Sequence, residues 1–382
     1  MTAAASLLLV LAPWVPLEPV GRGDWESDAD PVVRRWSSLL AGAPVRVGSM
    51  TVVPLFARVP GEAGTPGAGA AWPERLGVTA VFERQRLYLR LENTKDRPVL
   101  VAAGTGFENG RSEAFTERDV IVPPRFAVLV PAAANTRLPP PPDGTRLSEG
   151  ALLPANAAAA LLHPQGALQP AAWNLHGGAT RYAGAVRSPA VVHATRSLIA
   201  RCRPLEGERA GTAVGCVLLV GNWPQAAHVF ASHELFVDAL PDLLQGLAVR
   251  AVEERFHGGG EGPLARLAEW GDPVGRSLAF VRTLLQAPSE RAESYGEGFE
   301  TLQTSNRDRA VGHAVLDLRG TVVHACFLAM EGAWPGHVGG PNRPPTPQPP
   351  TGGTPETAPG VVDRKPRPSI AEARQRERRP RR

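Results

Sequence analysis

The chain reads as an α+β protein: one β-rich domain of antiparallel hairpins with a few packed helices, followed by a disordered, Pro-rich basic tail. Three observations predict this. Among 382 residues, 40 glycines and 39 prolines favour turns and short strands over long helices. Short apolar runs bounded by turn residues come in blocks, and helical periodicity comes in separate runs rather than in strict alternation with them. The end of the chain holds nine prolines and six glycines in the 28 positions 335–362, too little apolar surface to offset the entropy of ordering it.

Residues 1–44 are read as an N-terminal extension. The apolar run 3–12 resembles the core of a secretory signal, but no Lys or Arg precedes it and Pro13 follows at once. A cytoplasmic location is expected, with secretion as the alternative. No stretch reaches the ~20 apolar residues that span a bilayer, so no membrane is expected as a partner.

The domain is placed at 45–331. Residues 45–56 open it as a strand. Strands at 76–82 and 86–93 pair next, with Leu87, Leu89 and Leu91 alternating against Tyr88, Arg90 and Glu92, which gives one wet face. Strands at 99–102, 120–122 and 127–130 follow, the last two parted by the turn at Pro123 and Pro124. Residues 188–201 open with Ser-Pro and read as a helix. A hairpin is expected around Gly221 and Asn222, joining 213–220 to 226–230. Ser232 then caps a helix in which Phe236, Leu240, Leu243, Leu247 and Ala251 recur at three- and four-residue spacing, Pro241 beginning a fresh turn within it. Residues 277–286 give another helix, and a last hairpin joins 310–318 to 321–328 around Arg319 and Gly320. A linker of polyproline II character covers 332–362, and an Arg-rich tail covers 363–382.

The formal charge of +4 is uneven. The tail carries nine basic residues against three acidic ones, which leaves the other 362 residues at net −2. The body therefore has no general pull on phosphate backbones, whereas the tail suits an acidic protein or a nucleic acid. Cys202, Cys216 and Cys326 are odd in number and widely spaced, giving neither a disulfide framework nor a metal cluster. No metal or cofactor is expected.

The sequence holds no phosphate-binding loop, no Gly-x-Ser-x-Gly elbow and no His-Glu-x-x-His pair. His228 and His233 with Glu234 come nearest to a metal constellation, but their five-residue spacing runs from a strand end to a helix start. In the last hairpin, a turn centred on Arg319 and Gly320 sets His313 opposite about Cys326, with His324 as a diagonal neighbour. These histidines read first as structural. Two anion sites remain open. Gly104, Gly106, Gly110 and Asn109 allow backbone N–H groups to turn toward an anion beside Arg111, or they form a plain Gly-rich bend. Arg181 and Arg187, with Asn174, His176 and Trp173 nearby in sequence, form either a second patch or solvated surface.

Further signals fall in one order along 45–330: Glu92 and Asn93; Arg97, Pro98, Val99 and Leu100; Gly104; Gly110 and Arg111; Val120, Ile121, Val122, Pro123 and Pro124. Then come Gln169, Trp173, Val186, Arg187, Ser188, Pro189, Val214, Gly215, Phe230, Leu243, Leu244, Val311, Gly312, Val322, Val323 and His324. In this order they resemble the ADP-ribosylglycohydrolase and rhodanese/phosphatase-superfamily-associated protein domain. The chain departs from that pattern at Thr105, where the family has an acidic residue, and at Ser112, where it has glutamine. Ala132 and Ala134 stand where the family shows a Cys and a Glu, while Arg137 is kept.

The resemblance implies a link to ADP-ribose and NAD metabolism, and a pyrophosphate would suit Gly104, Gly110, Arg111 and Arg137. With the reactive groups replaced, the first expectation is a non-catalytic or degenerate binder of an anionic, nucleotide-like ligand, held by Gly104, Gly110, Arg111, Arg137 and Arg181. The alternatives are a hydrolase or transferase working through Glu108, Glu113, His228 or His324, and an interaction protein acting through its basic tail. Convergence of Arg111 and Arg137 with the Gly104 turn in the deepest pocket favours binding; convergence of His228 and His324 with a carboxylate there favours the enzyme instead.

Overall fold

The computed structural model describes residues 15–16, 30–58, 70–73, 76–162, 181–205, 213–257, 272–285, 289–292, 299–306, 310–317 and 319–329. The expected linker and tail, and Trp173, Asn174 and His176, lie outside them. The fold is α+β and rich in antiparallel strands, as expected.

The first half of the chain forms β1 (Val15–Pro16), α1 (Pro31–Ser37), β2 (Leu39–Ala41), β3 (Val45–Val47), β4 (Met50–Ala57), β5 (Gly77–Glu83), β6 (Arg86–Glu92), β7 (Val99–Val101), β8 (Thr105–Glu108), β9 (Glu113–Thr116), β10 (Val120–Val122), β11 (Ala127–Ala134) and β12 (Arg146–Leu152). The second half forms α2 (Ala155–Leu162), α3 (Tyr182–Val186), α4 (Pro189–Cys202), β13 (Ala213–Val220), β14 (Trp223–Phe230), α5 (His233–His257), α6 (Pro273–Leu285), β15 (Ser289–Ala292), β16 (Phe299–Asn306), β17 (Ala310–Asp317) and β18 (Val322–Ala329).

These strands make two bodies and a ribbon. A closed barrel runs β11, β6, β5, β12, β8, β9. A long sheet runs β1, β2, β4, β13, β14, β18, β17, β16, β15, with β3 also on β4. The barrel starts from the predicted β5–β6 hairpin, whose turn residues Arg84 and Gln85 take φ of 50° and 69°. Leu87, Leu89 and Leu91 share the barrel core with Val78, Ala80, Val128 and Val130, which is the dry face that the alternation required.

In the sheet, β13 and β18 are buried along their whole length because both faces are covered. Cys216, Leu218, Cys326 and Leu328 join one core with α2, α4 and α5. Val217, Leu219, Ala325 and Phe327 join the other with α1 and α6, where Trp36 stacks on Phe327 at a ring separation of 5.0 Å. Residues 30–44, read as part of the extension, thus carry elements of this second core.

The ribbon is β7 paired with β10. Val99, Val101, Val120 and Val122 face the barrel core, while Leu100 and Ile121 enter the core under α2 and α5. A strand that is apolar on both faces is thereby wedged between the two bodies, and it brings its polar flank, Asp119, into the seam.

Several boundaries differ from expectation. Residues 45–56 are a hairpin rather than one strand, because Gly48 at φ 58° turns β3 back onto β4. Pro241 lies inside an uninterrupted α5. Its ring is exposed, while buried Leu240, Leu243 and Leu244 on either side of it hold the helix to the core. α6 starts four residues earlier than expected, at Pro273, where the Asp272 Oδ1 accepts from the Gly275 N–H at 2.9 Å. The expected caps Ser188 and Ser232 accept from Val191 N–H at 3.4 Å and Leu235 N–H at 3.2 Å. No described helix is long and apolar enough to cross a membrane.

Candidate functional site

Hairpin register builds the site. Across four neighbouring strands, Cys216 of β13 faces His228 of β14, His228 faces Cys326 of β18, and Cys326 faces His313 of β17. His324, two residues before Cys326, points to the same face.

Asp119 meets this rank from the ribbon. It is 1% exposed. Its Oδ1 accepts from the Ala103 N–H at 2.6 Å, and its Oδ2 accepts from His324 Nδ1 at 2.7 Å. His313 Nδ1 stands 3.2 Å from the same Oδ2. His324 Nε2 in turn lies 3.3 Å from His228 Nδ1.

The proton order follows from the chemistry of each group. An ionised carboxylate only accepts, so His324 presents its Nδ1–H to Asp119. His324 Nε2 and His228 Nδ1 share the next hydrogen bond, whose donor depends on the tautomer of the two rings. Burial opposes the charge on Asp119, but His324 and His313 hold its carboxyl well below the usual carboxylate range. Burial, with His324 beside it, pushes the His228 imidazole down to about 3 against the pull of Asp119, so this ring is neutral. Burial and the Asp119 charge push the Cys326 thiol well up, which leaves it protonated and a poor nucleophile.

Asp119, His228, His324 and Cys326 line a cavity of about 30 Å³ together with Gln225 and Arg250. At ~10–15 Å³ per water, it has room for about two. Gly246 lets α5 close on its wall, since a Cβ there would stand 3.3 Å from the Leu153 carbonyl oxygen.

Of the sequence-predicted residues, His228 and His324 converge with a carboxylate here. Glu113 lies elsewhere, buried beneath α3. Its Oε2 accepts from the Tyr182 N–H at 2.8 Å and from Asn135 Nδ2 at 2.9 Å, and its Oε1 accepts from the Ala183 N–H at 2.9 Å. A negative group at the start of a helix answers the exposed N–H groups there. Arg181 pairs with Glu108 and stands 3.9 Å from Glu113, while Arg187 reaches the other oxygen of Glu108 at 2.7 Å.

Gly104 takes φ 83°, but its N–H donates to the Thr116 carbonyl oxygen at 2.8 Å, and Ala158 and Leu153 crowd the place of a Cβ. Gly110 also takes φ 83°, in a turn where Asn109 Oδ1 accepts from the N–H groups of Arg111 and Ser112 at 2.9 and 2.8 Å. Arg111 is exposed at that turn. Arg137 follows Asn135, whose N–H donates to the Glu113 carbonyl oxygen at 2.9 Å, so both arginines border the same end of the barrel. His233 bonds the Ala213 carbonyl oxygen at 2.8 Å, apart from His228.

Sequence reasoning passed over Asp119 and gave Cys326 no role. The one available signal was register: the expected pairing of His313 with Cys326 is observed, beyond a register shift between Val315 and Leu316. Nothing local ties Asp119 to His324, 205 positions away. The chain matches no family model, no curated protein and no solved structure.

Proposed function

We propose that the chain is a hydrolase or transferase whose acid–base centre is Asp119, His324 and His228. The observation that carries this reading is the unbroken hydrogen-bonded path from a buried carboxylate, through two imidazoles, to the wall of a water-sized cavity. His228 lines that cavity, and Nε2 is the ring nitrogen left to accept a proton from a water or a substrate hydroxyl. In this reading His228 donates Nδ1–H to His324 Nε2, and as its own Nε2 takes up a proton the Nδ1 proton passes to His324. The positive charge then rests on His324, directly against Asp119, rather than on the more isolated outer ring.

The cavity holds a reacting water and a small group, so the rest of a substrate lies outside it. The substrate class comes from the resemblance: an anionic, ADP-ribose-type ligand, tested beside NAD, other nucleotides and inorganic phosphate. Product formation that falls about a hundredfold to ten-thousandfold in His324→Gln, with the unfolding midpoint retained, supports the enzyme. Full turnover in that variant overturns it. Thermal stabilisation by a ligand without turnover, ~2.7 kcal/mol at a hundred times its Kd, favours the non-catalytic binder instead.

A further inference from the structure

We propose that the cavity is also a metal site, in which a zinc-class divalent ion binds His228 Nδ1, His324 Nε2 and Cys326 Sγ, with a water as fourth ligand. This rests on the reading of the cavity as the working centre. One ligand atom from each of the three residues lies within 4.8 Å of the other two, and all three residues are buried. Zinc to nitrogen bonds of ~2.0–2.1 Å at tetrahedral angles put two nitrogens about 3.3 Å apart; the two imidazole nitrogens are 3.3 Å apart.

The surroundings also suit an ion. His228 and Cys326 are direct cross-strand neighbours on buried strands, so the ligands are held before any ion arrives. His324 donates its other N–H to Asp119 at 2.7 Å, the outer contact that orients and strengthens an imidazole ligand. The cavity supplies the fourth position. Two nitrogens and a sulfur favour zinc-class ions over magnesium or calcium, which take oxygen ligands.

The balance of protons is simple. The Cys326 thiol loses its proton to solvent and binds as thiolate, while His228 keeps its own by moving it from Nδ1 to Nε2. Each ion bound therefore releases one proton. In the loaded protein the ion replaces the proton shared by the two rings, and its bound water, made acidic by the metal, becomes the nucleophile.

The test is cobalt titration of the chelator-stripped, full-length protein. One Co²⁺ per chain is expected, with tetrahedral d–d bands, a thiolate-to-cobalt charge-transfer band and release of one proton. Cys326→Ser should lose the charge-transfer band, Asp119→Asn should weaken binding about 10–100-fold, and Cys202→Ser should change neither. Failure of the wild type to bind stoichiometrically, or a charge-transfer band that survives Cys326→Ser, overturns the site. Cobalt binding without turnover of any substrate leaves the metal site and removes the enzyme; turnover that survives full chelation leaves the acid–base reading and removes the metal-bound water as its nucleophile.

Discussion

Glu113 and Asp119 are two buried carboxylates only six positions apart, and their surroundings are opposite in kind. Glu113, at the start of β9, receives hydrogen bonds from two peptide N–H groups and a side-chain amide. Asp119, at the mouth of β10, receives one peptide N–H and an imidazole N–H, with a second imidazole 3.2 Å away. Amide protons stay where they are, while imidazole protons move within the pH range of life. The first carboxylate can only fasten α3 to the barrel. The second stands at the head of the proposed acid–base path. Both are buried carboxylates, so the donors alone separate them.

Conservative amide replacements at each carboxylate test that comparison most severely. Asp119→Asn should cut turnover by about a hundredfold to ten-thousandfold, measured as kcat/KM on the substrate panel, whereas Glu113→Gln should leave the rate of the folded protein near wild type. Equal losses in both variants at unchanged stability would erase the distinction. A second measurement concerns stability. Glu113→Ala strands three buried donors, at ~1–3 kcal/mol for each orphaned group, so urea unfolding should show a loss of about 3 kcal/mol or more. Cobalt binding by the fraction that remains folded should be unchanged.

The two glycines at φ 83° sharpen the contrast on a smaller scale. Gly104→Ala adds both left-handed strain, ~1–2 kcal/mol, and a Cβ contact of 3.0 Å with Ala158, which lines the cavity. Gly110→Ala adds the strain alone, since nothing lies within 4 Å. Both should lower the unfolding midpoint, but only Gly104→Ala should alter cobalt affinity. Least of all, Ser188→Ala should cost about 1 kcal/mol by uncapping α4 and leave turnover untouched.

The sequence made visible what short-range chemistry controls. The Leu87, Leu89 and Leu91 alternation gave a barrel hairpin, and Gly221 and Gly320 marked two tight turns of the sheet, at φ 60° and 72°. The His313 and Cys326 pairing expected from the second of those turns is present, with a register shift between Val315 and Leu316 lying between turn and pair. What stayed hidden depends on packing between distant segments. β8 and β9 did not show, because Glu113, Ala114, Phe115 and Thr116 are all buried and so carry no alternation. The alanine-rich α2 is buried nearly all round and presents no polar stripe to reveal its period. Asp119 belongs to the site only because the ribbon is wedged between barrel and sheet, an arrangement that no local spacing encodes.

Among the described residues, the long sheet stops at β1, two residues ending in Pro16, and at β15, four residues long. Proline has no N–H to offer, and a strand this short leaves few backbone groups for another molecule to zip onto. The barrel, being closed, has no rim strand at all. At these two ends of the described sheet and around the closed barrel, edge-to-edge stacking should find little purchase.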